Sequence, residues 1–469
     1  MTAAQFGMIG LGTMGRNFLL NVAEQGFSSI GFDLDEGKRK LLLEEGTGYQ
    51  IAAADDVKSF VAGLELPRKI MLLVPAGPIV DSVINELVPL LGEGDILIDG
   101  GNSHFPDTER RQELLAKSKI VFLGVGVSGG EQGARRGASI MAGGDPEAYA
   151  HVRPILEAAS AKVRGEPCAA HVGRGSAGHF VKMVHNGIEY GLMQLIAEAF
   201  DILRRGFHIA DDRAADLFNR WDRGDLDSFL IEITAVVLRK KDDDGQPLVN
   251  KILDTAGQKG TGKWTSQAAM DLGVPVPTID TAVTMRQISA QKAQRVQLDE
   301  RLGIVQDMQI DETLAPDTIG FIESALHLSF LLTYAQGFAL LQAASEEKDY
   351  ELDLAEIAKI WRGGCIIRAA MLESIRDEFS RNPKLANLLL ADSFRTMIRN
   401  EHGLLKATVK FALEAGIPSM TFASTFNYLK AFASERLPAN LIQAQRDLFG
   451  AHTYQRIDKE GTFHTKDWQ

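Results

Sequence analysis

The chain predicts an α/β amino-terminal domain on a doubly wound, mostly parallel sheet, then a large all-α domain and a short carboxy-terminal tail. Three observations carry that prediction. The first third alternates short apolar runs with amphipathic stretches, a glycine-rich turn follows the first run, and beyond Gly178 long helical periodicities take over. FGMIG reads as the opening strand and Met14 to Gln25 as the helix after it. SSIGFD, KIMLLVP, DILIDGG, IVFLGVGVSGG and ASIMAGG read as later strands. Helical patterning persists to about Glu435, and the final stretch combines a short helix with aromatics and glycines, too apolar for a solvated end. The boundaries are placed at 1–177, 178–434 and 435–469.

Bulk composition narrows the function classes. A length of 469 residues allows several domains with large cores, and 45% apolar with 24% charged residues is ordinary globular usage. The net charge of −12 argues against nucleic acid or an anionic membrane as partner. Only Cys168 and Cys365 occur, in no metal-ligand spacing, which fits a reducing compartment. No signal-like start and no apolar run of about 18 residues are visible, so the expected location is the cytoplasm.

The turn Gly10-Leu11-Gly12-Thr13-Met14-Gly15 follows a strand and opens a helix, the context of a Rossmann-like dinucleotide site. Its glycines permit a tight turn, close approach of backbone to pyrophosphate, and tight helix–strand packing. Asp33 ends the second strand, where a carboxylate accepts hydrogen bonds from a ribose and repels a 2′-phosphate. Leu34 adds no compensating charge, and Arg39 and Lys40 lie a turn into the next helix, so the expected cofactor is NAD rather than NADP.

A second cluster lies in HFVKMVHNGIEYGLMQLIAEAF. On a helix, Lys182, His185 or Asn186, and Glu189 share one face inside an otherwise apolar segment. Such surroundings push a lysine pKa down and a glutamate pKa up, toward proton exchange near neutral pH. A solvated polar face is the plain alternative. Gly257 to Lys263 has P-loop spacing, but Trp264 stands where Ser or Thr is required, leaving a loop able to bind phosphate through backbone N–H groups and lysines. AEAFDIL near Ala197 parallels AQGFALL near Ala335, and NRWDRG around Trp221 parallels KIWRGG around Trp361. If the helical part is a diverged repeat, Gly320, Ser324 and His327 stand where Lys182, Asn186 and Glu189 stand in the first copy.

GLGTMGRN, LLVPAGPIVD, DGGNSHFPDT, GVGVSGGEQGARRGASIMAGG, GHFVKMVHNGIEYGLMQLIAEAF, DTAGQKGTGKWT and QAQRDLFGAHTYQR together resemble, end to end, the 6-phosphogluconate dehydrogenase family. The resemblance implies oxidative decarboxylation of 6-phosphogluconate to ribulose 5-phosphate, with Lys182 as general base and Glu189 as general acid. It implies substrate contacts from Asn102, Ser128, Gly129, Gly130, His185 and Asn186. Tyr190, Lys259, Thr261, Arg286, Arg446 and His452 match the family's phosphate-end pattern. Val74 and Asn102 join the glycine turn and Asp33 as implied cofactor contacts. No metal is implied. The tail carrying Arg446 and His452 implies a homodimer with exchanged tails, and leaves open whether dimers pair into tetramers. NADP-using members usually show Asn-Arg at Asp33-Leu34 and a lysine at Pro75, which sharpens the NAD expectation. The rival readings are a short-chain 3-hydroxyacid dehydrogenase, which needs neither Glu189 nor the phosphate cluster, and a non-catalytic NAD-binding sensor.

Overall fold

The computed structural model describes residues 3–304 and 315–468; the part of the expected helical region at 305–314 lies outside the described residues. Short β-rich apolar runs form strands β1 (Phe6–Ile9), β2 (Ser29–Phe32), β3 (Ile51–Ala53), β4 (Lys69–Leu72), β5 (Ile96–Asp99), β6 (Val121–Ser128) and β7 (Ser139–Gly143). A two-stranded ribbon follows, β8 (Lys162–Val163) with β9 (Glu166–Pro167), and then β10 (Ala169–Gly173). Eight strands make one sheet in the order β10-β7-β6-β5-β4-β1-β2-β3. All of its pairings are parallel except β6 with β7, where Gly124 faces Gly143 and Ser128 faces Ser139. Strands buried on both faces lose the in–out alternation of a half-exposed sheet, which is why they read as continuous apolar runs. The doubly wound expectation holds; Ile51–Ala53, the β8–β9 ribbon and the edge strand Ala169–Gly173 carry too little apolar signal to be read from the sequence.

Beyond β10 the described residues are helical except for the tail. The helix Ala177–Asp201 runs from the sheet into the helical domain, and Ala315–Glu347 packs beside it. The segment Ile319–Glu347 is long and apolar enough by length and composition to cross a membrane, yet 83% of its apolar window is buried in protein, so it serves as a core helix.

Glycines let Ala177–Asp201 press onto the sheet. A Cβ on Gly126 would sit 2.4 Å from the Lys182 Cβ, and one on Gly178 would sit 2.1 Å from the Gly124 carbonyl oxygen. Those approaches bring the first two turns of the helix against the middle of β6, a strand whose carboxyl end lies at the edge where ligands bind in open α/β sheets.

The tail has its own small architecture. Helix Ala439–Gly450 is followed by a two-stranded ribbon, Tyr454–Gln455 with Thr462–Phe463. Asp447, side chain fully buried, accepts from the backbone N–H groups of Thr453 and Thr465 (both 3.0 Å), Trp468 Nε1 (3.1 Å) and His464 Nδ1 (2.9 Å). Burial alone would raise the carboxyl pKa; the donors overcome it and hold Asp447 down to about 2.

Candidate active site

The glycine turn sits between β1 and helix Thr13–Glu24. Gly10 has φ +95°, and a Cβ there would meet the Leu73 carbonyl oxygen at 2.6 Å; a Cβ on Gly15 would meet the Gly10 carbonyl oxygen at 1.8 Å. Both are compelled by packing. Gly12 meets nothing within 4 Å, so its missing side chain leaves the helix N-terminus open to an anion. The open side is a cleft of about 770 Å³ lined by Gly12 to Gly15, Val74, Asn102 and Lys259. A neighbouring apolar slot of about 220 Å³ runs past Gly10, Val74 and Ile79 to Asp33. The two together suit a dinucleotide, apolar at the base end and lined with backbone N–H groups at the pyrophosphate.

Asp33 accepts from the Leu11 N–H (2.8 Å) and the Asp35 N–H (3.0 Å), bonds that tie the glycine turn to the end of β2. Lys38 Nζ lies 3.3 Å from the Asp33 carboxylate, and the Arg39 guanidinium donates to the carbonyl oxygens of Asp33 (2.7 Å) and Leu34 (3.3 Å).

Asp99, at the end of β5, shapes the loop that presents Asn102. It accepts from the Gly101 N–H (3.0 Å) and the Ser103 hydroxyl (2.6 Å), with the Arg111 guanidinium 3.3 Å away. Val127 of β6 lines the cleft, and Ser128 and the turn Gly129-Gly130 follow it. Gly129 adopts φ +110°, where a Cβ would strike the Gly364 carbonyl oxygen at 2.5 Å.

Lys182 is almost fully buried on the face of Ala177–Asp201 that meets β6, and burial pushes its pKa down, with the Glu189 carboxylate the main charge acting against that. Glu189, one turn and three residues further along the same face, is half-buried, and burial pushes its carboxyl pKa up against the pull of Lys182 and Arg286. Each group is thus biased toward its neutral form: an amine able to take a proton and an acid able to give one. His185, between them, is fully buried and held neutral by burial and by Lys182. A proton on Nδ1 satisfies both contacts, donating to Asn186 Oδ1 (3.0 Å) and leaving Nε2 to accept from the Ser128 hydroxyl (3.3 Å).

Glu189 faces a cationic end of the site. The Arg286 guanidinium lies 3.5 Å from the centre of the Tyr190 ring, as a cation–π pair, and donates to the Gly257 carbonyl oxygen at 3.1 Å. Gly260 adopts φ +96° and opens helix Thr261–Asp271, so Lys259 and Thr261 stand at a helix N-terminus. Gly187 permits the contact that anchors this helix, since a Cβ there would meet Thr265 at 2.6 Å; Thr265 donates to the Met183 carbonyl oxygen at 2.9 Å. Of the sequence-predicted residues, Gly12 to Gly15, Val74, Asn102 and Lys259 line one interdomain cleft, and Gly10 and Asp33 line the slot beside it.

Two predicted residues stand elsewhere. Arg446 bonds the Gln443 side chain (3.1 Å) and His452 packs its ring against Phe449, so among the described residues their contacts stay within the tail. Four residues were missed. Trp361 sets its ring edge-on to His185 at 5.6 Å, and buried Cys365 adjoins Lys182, its thiol pushed up to about 12 by burial and donating to the Trp361 carbonyl oxygen. His104 and Trp264 stack across the cleft mouth with ring centres 4.5 Å apart. Trp361, Cys365 and Trp264 stood out in the sequence as motif residues, but no spacing rule ties them to Lys182.

The family model for the NAD binding domain of 6-phosphogluconate dehydrogenase matches residues 5–173, and the model for the 6-phosphogluconate dehydrogenase C-terminal domain matches 178–468. The chain is 49% identical over 467 residues to an NADP(+)-dependent, decarboxylating 6-phosphogluconate dehydrogenase of Bacillus subtilis, covering 99% of each chain. It is 48% identical over 470 residues, again 99% of each, to the decarboxylating enzyme of Escherichia coli. The solved Plasmodium falciparum 6-phosphogluconate dehydrogenase, determined apo, with its cofactor NADP+ and with its substrate 6-phosphogluconate, superposes with a TM-score of 0.95 at 41% identity, over 98% of this chain and all of that one. These findings overturn the expectation of NAD over NADP, since the Bacillus relative is named NADP(+)-dependent and the Plasmodium enzyme carries NADP+. The physical reason lies at the slot's rim. Lys38, which the sequence argument did not count, pairs with Asp33, and Arg39 folds back onto the same strand end. Positive charge therefore stands beside the carboxylate that was taken to repel a 2′-phosphate.

Proposed function

The chain belongs to the 6-phosphogluconate dehydrogenase family, and from that premise we propose that it oxidises and decarboxylates 6-phosphogluconate to ribulose 5-phosphate and carbon dioxide. The single observation that carries this reading is the pairing of buried Lys182 with half-buried Glu189 on the helix packed against β6, the strand whose Val127 lines the dinucleotide cleft. The nicotinamide dinucleotide, when bound, supplies the hydride acceptor, and the named relatives point to NADP+.

Neutral Lys182 takes the proton of the C3 hydroxyl as C3 loses its hydride. The C3 ketone then lies β to the carboxylate. When the C1–C2 bond breaks and carbon dioxide leaves, the electron pair moves onto the C3 oxygen, where the Lys182 ammonium stabilises the negative charge and returns a proton. Glu189, protonated, delivers its proton to the former C2, which becomes C1 of the product, while neutral Lys182 takes back the hydroxyl proton and the enediol becomes the ketone. His185, Asn186 and Asn102, with the Ser128-Gly129-Gly130 turn, orient the C1 to C3 end. Tyr190, Lys259, Thr261 and Arg286 hold the phosphate, a local cationic cluster that opposes the chain's net charge of −12.

On the same reading, residues 178–434 hold two diverged helical copies, and the tail 435–469 delivers Arg446 and His452 to the site of a second subunit, giving an obligate homodimer. Two features support this: the tail's contacts for both residues close on themselves, and Leu441, Ile442 and Phe449 are each more than half exposed on its helix. The test is an initial-rate assay with 6-phosphogluconate and each nucleotide, followed by the absorbance of the reduced ring. NADP+ reduction dependent on the sugar acid supports the reading. Reduction with short-chain 3-hydroxyacids and none with 6-phosphogluconate would defeat it.

A further inference from the structure

The stack of His104 on Trp264 joins two segments that bind different ligands in the proposed function, on which this inference rests. His104 follows the loop carrying Asn102 at the dinucleotide cleft, and Trp264 lies in the first turn of helix Thr261–Asp271, just after Lys259 and Thr261. The rings lie 4.5 Å apart at 23°, a stacked geometry, and both line the same cleft as Lys259 and the glycine turn.

Neither ring is isolated. His104 meets Phe105 edge-on at 5.2 Å, and Phe105 meets Phe180 edge-on at 5.0 Å. Phe180 stands on the catalytic helix two residues before Lys182. On the other side, Thr265, next to Trp264, donates to the Met183 carbonyl oxygen of that same helix (2.9 Å). The exposed Gly257–Gly260 loop is held at Gly257 by Arg286, and the helix it leads into is joined by the ring contact to the cofactor-side loop and by the Thr265 hydrogen bond to the catalytic helix.

We propose that His104 and Trp264 form a clasp that couples the dinucleotide site to the sugar-phosphate loop, so that each ligand orders the segment the other uses. His104 acts as a positioning residue. A dinucleotide settling on Gly100–Asn102 fixes His104; the stack then holds Trp264, and with it Lys259 and Thr261, where a phosphate is received. Coupling of this kind is reciprocal.

The experiment is equilibrium binding of NADP+ in the presence and absence of saturating 6-phosphogluconate under non-turnover conditions, using Lys182→Met as the background. His104→Ala and His104→Phe are compared on that background. In the parent protein each ligand tightens the other by about 2- to 10-fold, the range of one aromatic pair. His104→Ala brings that factor to about one, and His104→Phe, which keeps a stackable ring, restores it; a merely structural defect would lower both affinities without changing their ratio. Equal coupling in His104→Ala and the parent, or no coupling in the parent, overturns the clasp alone. A parent protein that binds NADP+ and not the sugar acid defeats the functional reading together with it.

Discussion

Two long helices, Ala177–Asp201 and Ala315–Glu347, lie side by side in the helical domain, similar in depth and opposite in content. The first buries Lys182, two histidines (His179 and His185) and Glu198, with Glu189 half-buried; the second has Gly320, Ser324 and His327 at the positions that answer to Lys182, Asn186 and Glu189. Their surroundings are related. Trp221 and Trp361, both fully buried, follow them, and the segments after those tryptophans pair backbone to backbone, Phe229 N–H to the Arg368 carbonyl oxygen (3.0 Å) and Ala370 N–H to the Asp227 carbonyl oxygen (2.9 Å). What separates the helices is the partner surface. The first lies against β6, whose Gly124 and Gly126 let it approach until Lys182 is sealed from water. In the second, His327 faces Glu401 at 3.1 Å, a partly exposed pair with no sheet above it. The helix that buries its lysine is the one pressed onto a glycine-bearing strand whose Val127 lines the ligand cleft.

The largest effect expected from breaking this contrast is at Lys182. Lys182→Met removes the base and the oxyanion's cation, and kcat should fall by about 10²- to 10⁴-fold or more with NADP+ affinity retained, as stopped-time assays and titration calorimetry will read. Wild-type turnover in that variant would take the lysine out of its assigned role. Glu189→Gln should cost a similar factor and also change the shape of the pH profile. The wild-type profile of kcat/KM should be bell-shaped, because on the proposed mechanism the amine must be neutral while the acid stays protonated. Without Glu189 the alkaline fall disappears. The remaining rise shifts to lower pH, because an anion that lifted the Lys182 pKa has gone.

Arg446→Ala tests whether the tail completes a second subunit's site. Losing a charge-assisted phosphate contact should raise KM for 6-phosphogluconate by roughly 10- to 100-fold with little change in kcat. Mixing this variant with Lys182→Met should regain activity through hybrid dimers, and no regain in refolded mixtures would argue for sites built within one chain. Gly126→Ala probes the close approach itself: a Cβ 2.4 Å from the Lys182 Cβ must displace the helix. Overpacking of that kind costs about 1–3 kcal/mol, visible as a lowered Tm together with reduced kcat. The mirror change in the other helix, His327→Ala, should cost no more than about 1 kcal/mol and leave kcat unchanged.

Much of this was legible in the sequence, for identifiable reasons. Strand–helix alternation, the strand–glycine turn–helix context and the helical spacing of Lys182, His185 and Glu189 are local signals, and each met its counterpart in the structure. Contacts between distant segments were not legible. Cys365 beside Lys182, Trp361 on His185, and Gly364 beneath Gly129 depend on the fold of the second helical half returning to the first. The cofactor expectation went astray for a related reason. Asp33, Leu34, Arg39, Lys40 and Pro75 are all legible as a string, whereas the return of Lys38 to the Asp33 carboxylate shows only once the helix is folded.

The most direct test follows both products at once: carbon dioxide released and NADP+ reduced from 6-phosphogluconate, in the wild type, Lys182→Met and Glu189→Gln. The account predicts one gas molecule per reduced nucleotide in the wild type, and the near-complete loss of both together in Lys182→Met. Sustained nucleotide reduction in the wild type without stoichiometric gas, or undiminished decarboxylation without Lys182, would contradict it.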